Sequence, residues 1–591
     1  MKRKRYIGIV MMTAGMLAVT SCSDFNDYNE VPVDQHVTGS QTLWENILKN
    51  EQQLSDFADL VKKTGFDSVL NAPRSLTVWA PLNGTFDKAA YDTLSKEDLL
   101  TQFVKAHVAD YSHSATGKVD ERVHMFNEKM FKFEGEGTYT FDGINVSTAN
   151  LPSTNGLMHL IDGAAKYLPN LYEYLKVGSD IDSLCNHFMR YETKKLDEEA
   201  SVKGAMVDGI QTWEDSVMIV SNELVNQLNA RLTNEDSTYT FLMPTNKAFM
   251  EMYNRVKPFY NYYGTTLMHD VENYTSASGT NTKSQTVAAA YMTDSLVRRT
   301  IIRNLIYSNN DTYNQWIVGE GESMDTIRTT TRRKFSNTKA IMEENLVGQP
   351  VTTSNGYARI VDSLAFFPWE TYNPEFEFSP LRNLANLFPA ASSMSRVTVH
   401  QVDSLGNPAP MKWLLGPETE QTSYTYGKIS AGGDRTKPDF FIALPEVMST
   451  TYNIYVVFLP TAWSAFGNDS RPNWLNFQMN YCDAKGKLQV HNFSKAYADS
   501  LRTGGKLPNV PAAVSGTTAF TNNPEKVDTM FIGQFTFPIT YSGLEVYPSL
   551  HISSPISSLN ATHLKTYNRD VSIAAILLRP VELEEYEAKN K

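Results

Sequence analysis

"TVWAPLNGTFDKA", residues 77–89, reads as the end of a buried strand that runs through a proline into a turn and a helix. The same arrangement returns in "TFLMPTNKAFMEM", residues 240–252. Pro81, Asn83 and Phe86 in the first stretch stand where Pro244, Asn246 and Phe249 stand in the second. Proline cannot donate to a central ladder, so each proline ends its strand. An asparagine at such a junction accepts from the free amides of a first helical turn, so Asn83 and Asn246 are expected to cap the helix that follows. Each phenylalanine, three residues on, can fold back onto the core.

A second pair of motifs follows in the same order. "STNGLMHLIDG" (153–163) is echoed by "TSNGYARIVDS" (353–363). Asn155-Gly156 and Asn355-Gly356 are turn dipeptides, each leading into a strand. Two motifs recurring in one order describe a duplicated unit. The first pair of asparagines is 72 residues apart and the second 109, so the second copy carries 37 extra residues. The Tyr-, Ser- and Thr-rich stretch "YNYYGTTLMHDVENYTSASGTNTKSQTV" (260–287) is the expected site, inside an insertion placed near 255–297. Such an insertion either carries binding or is a decorated surface loop.

These motifs resemble those of the fasciclin domain, "TVFAPTNEAF" followed by "NGVIHVID"; the second motif of the second copy matches loosely. The resemblance implies compact α/β domains at 38–168 and 169–370. "TLWENILKNEQQLSDFADLVKKTG" (42–65), apolar at helical spacing, would be one helix opening the first copy, and "NLYEYLKVGSDIDSLCNHFMR" (170–190) would play that part in the second. Animal fasciclin domains support adhesion partly through a Tyr-His pair. Here Ala106 precedes His107, and the second copy places Leu305 there, so the chain departs from that pattern.

From about Tyr372 the texture changes to short alternating runs between turn residues, such as "SRVTVHQV", "PDFFIALP", "YNIYVVFLP", "MFIGQFTFPI" and "SIAAILLRPV". This is the pattern of an all-β sandwich, assigned to 371–591. Its closing strand, "DVSIAAILLRPVE", resembles that of galactose-binding-like jelly rolls. The fold class is therefore α+β multidomain: two fasciclin-like α/β domains followed by a jelly-roll-like sandwich. Such modules often bind glycans with an aromatic beside a polar loop. Trp463 and Trp474 suit that role, the alternative being core or interface packing.

The N-terminus reads as targeting sequence. Lys2, Arg3, Lys4 and Arg5 precede an apolar stretch from Tyr6 to Val19, then "VTSC" ending at Cys22. This is the pattern of a lipoprotein signal over residues 1–21, with Cys22 the lipidated residue; an ordinary signal peptide with a chance cysteine is the alternative. Residues 22–37 are an export signal and linker. Asp24 and Asp27 in "SDFNDYNE" carry a resemblance to the surface-export signal of Bacteroidetes outer-membrane lipoproteins. The 591-residue chain has a net charge of −12, which argues against nucleic acid as a partner. Cys185 and Cys482 have no second cysteine at metal-ligand spacing and read as free buried thiols, with a disulfide between them as the alternative.

No G-x-S-x-G, phosphate-binding glycine loop, H-E-x-x-H or C-x-x-C occurs. His107 and His113 are the nearest approach to a metal pair and lack further ligands, so no metal, cofactor or catalytic residue is assigned. If the repeated motifs were catalytic, their polar residues would recur. Instead His107 is matched by Leu305 and His159 by Arg359, while Pro, Asn, Phe and Asn-Gly persist. Eleven Asp-Ser/Thr-apolar or Asp-Ser-Thr triads resemble the O-glycosylation acceptor of Bacteroides exported proteins. Ten of them nominate Ser68, Thr93, Ser183, Ser216, Ser237, Ser295, Thr326, Ser404, Ser500 and Thr529, while the eleventh, Ser363, follows the strand after Asn355 and is set aside as buried; turn and cap chemistry is the alternative. The expectation is a non-enzymatic surface lipoprotein held to the outer membrane by lipid. It would bind a glycan or protein ligand or assist a surface transporter complex in glycan or peptide uptake. An adhesin for host matrix or neighbouring cells is the alternative, and a hydrolase hidden in the last segment is a third reading.

Overall fold

The computed structural model describes residues 39–590 apart from 208, 264, 269–284, 323, 388–391, 401–403, 406, 408–422, 434, 461–468, 496–497, 499–500, 502–519, 545 and 557–558. Cys22, Asp24, Asp27, Trp463 and Ser500 lie outside the described residues. The chain divides into two compact units between Pro169 and Asn170.

In the first unit the expected single helix is two, Leu43–Lys49 and Glu51–Thr64. The first opens with a reciprocal capping box between Thr42 and Glu45. Its continuation fails at Asn50, whose backbone leaves helical geometry. Gly65, at φ +80°, ends the second helix in the left-handed region. The strands are β1 (Leu76–Pro81), β2 (Val108–Asp110), β3 (Lys118–His124), β4 (Met130–Glu136), β5 (Thr138–Phe141), β6 (Ile144–Ser153) and β7 (Gly156–Ile161). They form one sheet in the order β2-β1-β7-β6-β5-β4-β3, with β1 parallel to β7. Every residue of β1 is buried because both of its faces are covered. Leu76, Val78 and Ala80 pack with Leu43, Phe57 and Leu60 of the helices. Trp79 points the other way and stacks on Phe141 at 4.4 Å and on His159 at 5.5 Å. A strand covered on both sides needs a continuous apolar run, which is what "LTVWAP" supplies.

The second unit opens with helices Leu171–Val177 and Asp182–Met189. A two-stranded ribbon follows, β8 (Glu192–Val207) and β9 (Ile210–Asn222). Then come β10 (Tyr239–Pro244), the helix Asn246–Val256, a hairpin of β11 (Thr265–Met268) and β12 (Gln285–Ala288), and the helix Ala289–Ile302. Next are β13 (Ile306–Ser308), a small hairpin of β14 (Ile327–Arg328) and β15 (Lys334–Phe335), β16 (Val351–Thr353) and β17 (Gly356–Val361). The sheet order is β13-β10-β17-β16.

This sheet reproduces the register of the first. Leu76 to Pro81 pair in parallel with Gly156 to Ile161, as Tyr239 to Pro244 pair with Gly356 to Val361. Val78 faces Val108 as Phe241 faces Ile306. Pro81 and Val108 are 27 residues apart, whereas Pro244 and Ile306 are 62 apart, so 35 of the 37 extra residues lie in the segment that holds β11 and β12. The ribbon β8–β9 is a second addition, which the sequence reading missed.

Asn83 and Asn246 do not cap the helices that follow them. Asp87 caps Lys88–Asp92, and Thr245 caps Asn246–Val256. Each asparagine instead clasps the helix before its strand. Asn83 Oδ1 accepts from the Asp56 amide at 3.0 Å, and its Nδ2 donates to Ser55 Oγ at 2.9 Å. Asn246 Oδ1 accepts from the Ser183 amide at 2.7 Å, and its Nδ2 donates to Asp180 and Asp182. Gly84, at φ +73°, turns the first copy's chain, and its helix starts at Lys88, five residues later than in the second copy. Phe249 is fully buried, and Phe86 packs on Phe103 at 5.3 Å.

The remaining strands are β18 (Phe376–Phe378), β19 (Leu384–Leu387), β20 (Ser392–His400), β21 (Ser423–Ala431), β22 (Asp439–Ala443), β23 (Thr451–Phe458), β24 (Trp474–Cys482), β25 (Leu488–Asn492), β26 (Phe520–Thr521), β27 (Asp528–Thr536), β28 (Ser549–Ser553) and β29 (Val571–Pro580). They form two six-stranded sheets. In one, β20-β21-β29-β23-β27 are joined by β18 on β29; in the other, β19-β22-β28-β24-β25 are joined by β26 on β24. Buried side chains of both sheets, such as Ile454, Ile576, Phe477 and Ile552, share one core with Leu171, Phe241 and Ile301 of the preceding repeat. The segment after the helix Asn246–Val256 ties the two parts together. The Ser449 amide donates to Phe259 O, the Thr540 amide to Asn261 O, and Asn261 Nδ2 to Pro538 O.

Candidate functional site

The polar residues common to both repeats are engaged by their own backbones. Asn155 Oδ1 accepts from the Leu43 amide at 2.8 Å, and its Nδ2 donates to the carbonyls of Leu70 and Ala72. Asn355 does the same with Leu171, Leu232 and Asn234. In both copies a helix's opening amide and the end of the next segment are bolted to the turn before a central strand. Gly156 and Gly356 have φ of +148° and +140°, and a Cβ on either would lie 1.9 Å from the carbonyl oxygen of Leu76 or Tyr239. Only glycine fits there.

The histidines are tied down individually. His107 is fully buried, with Nδ1 on Phe103 O at 2.7 Å and Nε2 accepting from the Ala165 amide at 3.0 Å. Burial pushes its pKa down to about 4. His159, also buried and held down to about 4 by burial, bonds His113 O at 2.9 Å. His113 meets Glu121 and Asp110 O. Among the described residues no cluster of three or more His, Cys, Asp or Glu is placed to hold a metal ion. Arg359, at the position of His159, donates to the carbonyls of Met342 and Ile317.

Trp474 begins β24 half-buried, its ring against His563 at 5.1 Å and Tyr567 at 5.3 Å, so part of it is covered within the protein. Cys185 and Cys482 are free and half-buried. Of the glycosylation candidates, Ser68, Thr93, Ser216, Ser404 and Thr529 are exposed, while Ser183, Ser237, Ser295 and Thr326 are half-buried. Ser68 and Thr93 donate to the nearby carbonyls of Gly65 and Ala90.

A cavity of about 490 Å³ opens in the second unit. Its walls include Tyr260, Arg299, Arg303, Arg333, Tyr372, Phe376 and Glu446. Arg303 is the C-cap of the helix Ala289–Ile302, one turn after Arg299. Arg333 is carried by the loop between β14 and β15 and donates to Thr371 O at 3.3 Å. Tyr260 is fixed by a 2.6 Å bond to Thr300. Arg303 Nε is sealed from solvent and, among the described residues, has no hydrogen-bond partner. Burial, with Arg299 nearby, lowers the pKa of Arg303. Burial, with Arg303 nearby, lowers that of Arg333 to about 10. Glu446 accepts from the Ser542 hydroxyl at 2.7 Å and from the Gly543 amide. No sequence motif marks these arginines as a group. The four-residue spacing of Arg299 and Arg303 in "VRRTIIR" was the available signal.

Comparison with protein families matches the description "Fasciclin domain" to residues 52–165. Residues 52–165 are a fasciclin domain. The chain is also similar to the FAS1 domain pair of the insect cell adhesion molecule Fasciclin I, at 12% identity and a TM-score of 0.20, over 54% of this chain and 98% of that one. A Paenibacillus xanthan lyase is similar at 10% identity and a TM-score of 0.16, over 40% of this chain and 18% of the lyase. No curated protein matches the chain in sequence.

Proposed function

We propose that the chain is a non-enzymatic, lipid-anchored cell-surface protein that binds a glycan or protein ligand. The fasciclin domain at 52–165 carries the reading, since such domains are generally involved in cell adhesion and binding. The repeated asparagines and glycines support it, because their chemistry is directed at folding and leaves loops and added segments to make contacts. In this reading residues 169–370 are a second fasciclin copy, supported by the shared register and the matching bonds of Asn155 and Asn355. Residues 371–591 are a β-sandwich, supported by two six-stranded sheets that contribute to one core. Cys22 is the lipid attachment site, and Asp24 and Asp27 direct export to the outer surface.

Accessory binding for an outer-membrane uptake system and adhesion to matrix or cells are the two settings, and the fasciclin domain favours adhesion. Cys22→Ala is expected to move the protein from the membrane to the soluble fraction, because a lipid anchor holds a folded domain without spanning the bilayer. Unchanged fractionation would overturn the anchoring reading. Cells displaying the wild-type chain are expected to attach to matrix-coated or cell-coated surfaces. Equal attachment with and without the protein would remove the adhesin setting, and capture of soluble glycan in its place would support uptake.

A further inference from the structure

We propose that the arginine-walled cavity of the second unit binds a small oxyanion, a carboxylate, sulfate or phosphate carried on a compact, partly apolar body. The inference goes beyond the surface-binding reading and is independent of where the chain is anchored.

Arg303 is the central observation. Among the described residues its Nε is closed off from water with no acceptor, and no carboxylate pairs with it or with Arg333. A guanidinium cannot relieve this by losing its proton. The residue as a whole is half-buried, and withdrawing even part of an unpaired charge from water is unfavourable. The carbonyl end of the helix Ala289–Ile302 offsets only a fraction of a charge. The second observation is the cavity itself. It lies against these side chains and, at about 490 Å³, falls in the range of small-molecule sites. Arg299 lowers the proton affinity of Arg303, and Arg303 lowers that of Arg333, an accumulation of positive charge that a nearby anion would relieve. Guanidinium groups match planar or tetrahedral oxyanions through paired N–H donors.

The rest of the wall suggests the ligand's body. Tyr260, Tyr372 and Phe376 are among the residues that line the cavity. Glu446 also lines it, with its carboxylate held by Ser542 and Gly543. An anionic group therefore belongs at the arginines, with hydroxyls available to Glu446 and an apolar face against the rings. An acidic monosaccharide satisfies all three; inorganic sulfate or phosphate satisfies only the first.

The test is thermal unfolding of the full chain titrated with sodium glucuronate, sodium sulfate or sodium phosphate, each against sodium chloride at matched ionic strength. At least one probe is expected to raise the transition of the second unit saturably, by several degrees. A response to glucuronate alone assigns a carboxylate sugar. A response to sulfate or phosphate assigns an ester-type anion. Arg303→Met is expected to abolish the response and to melt higher than wild type without ligand, because it removes the uncompensated charge. If that variant does not fold, Arg333→Lys should weaken the saturable response at least tenfold, since a lysine keeps the charge but not the paired donors. Three flat titrations overturn the proposal. So does a non-saturating rise equal in wild type and variant, which is the general salting effect of sulfate and phosphate.

Discussion

Asn155 and Asn355 each direct a whole side-chain amide at the backbone of their own repeat, with one bond accepted and two donated. Both side chains are buried, so truncation leaves an amide and two carbonyls without partners or water. Asn155→Ala or Asn355→Ala is expected to destabilise its unit by about 2–4 kcal/mol, because unsatisfied buried groups cost more than a made bond contributes. Denaturant unfolding of each variant checks this, and a loss below about 0.5 kcal/mol would contradict the role. The histidines act through pH. His107 and His159 stay neutral in the fold down to about pH 4, whereas an unfolded chain protonates them near the ordinary value of 6.5. Between these values the unfolded chain binds more protons, so stability is full above about 6.5 and declines as pH falls toward 4. Each histidine is worth on the order of 3 kcal/mol across that window. Melting of the first unit from pH 7.5 to 4 should show the decline, and His107→Gln should flatten it.

Among the described residues the ribbon β8–β9 pairs only with itself, as the shorter hairpins β11–β12 and β14–β15 do. Its tip carries Met206, Val207 and Ile210, which are 68%, 55% and 70% exposed. At its base, by contrast, Asn222 is buried and donates to Phe188 O and Tyr172 Oη. Replacing residues 195–219 by a two-residue turn should therefore leave the melting temperature of the second unit within a few degrees, since few buried contacts are lost. Loss of cooperative unfolding would show that the ribbon packs on the body. The same element shows where legibility ended. β1, β10 and the strands of the last segment were readable because burial on one or both faces imposes an apolar run or an alternation. β8, "ETKKLDEEASVKGAMV", has no apolar face because it packs on no core, and only the Asp208-Gly209 dipeptide announced a hairpin. The motif asparagines were legible as structural, but their partners were not, because each bonds a helix lying earlier in the chain. The arginine cavity was hidden for a related reason. Arg299 and Arg303 share a helix end with an apolar neighbourhood, and Arg333 joins them from a loop thirty residues away.

At the scale of the whole molecule, a boundary drawn at residue 370 cuts through a common core. Tyr372 rests on Phe259 at 4.8 Å, and Phe259, Asn261 and Tyr262 each meet the loop segments 449–450 or 538–542 through hydrogen bonds. Leu171, Phe241 and Ile301 belong to the same buried cluster as Ile454, Phe477 and Ile576. The first unit has its own two clusters, one between helices and sheet and one on the sheet's far face. The fragment 39–169 is therefore expected to fold alone and to melt in one cooperative transition, as single domains of its size do. The fragment 170–370 should not. Without the last segment it loses Tyr372 from Phe259 and exposes Phe259, Tyr260 and Tyr262, of which the two tyrosines are buried in the chain. Exposing that much aromatic surface costs on the order of several kcal/mol, comparable to the stability of an ordinary domain. Fragment 170–370 is expected to aggregate or to melt without a cooperative transition, and fragment 170–590 to behave as one unit. Calorimetry on the three fragments checks this. A sharp, reversible transition for 170–370, at the temperature shown by 170–590, would mean that the two parts of the second unit fold independently despite their shared core.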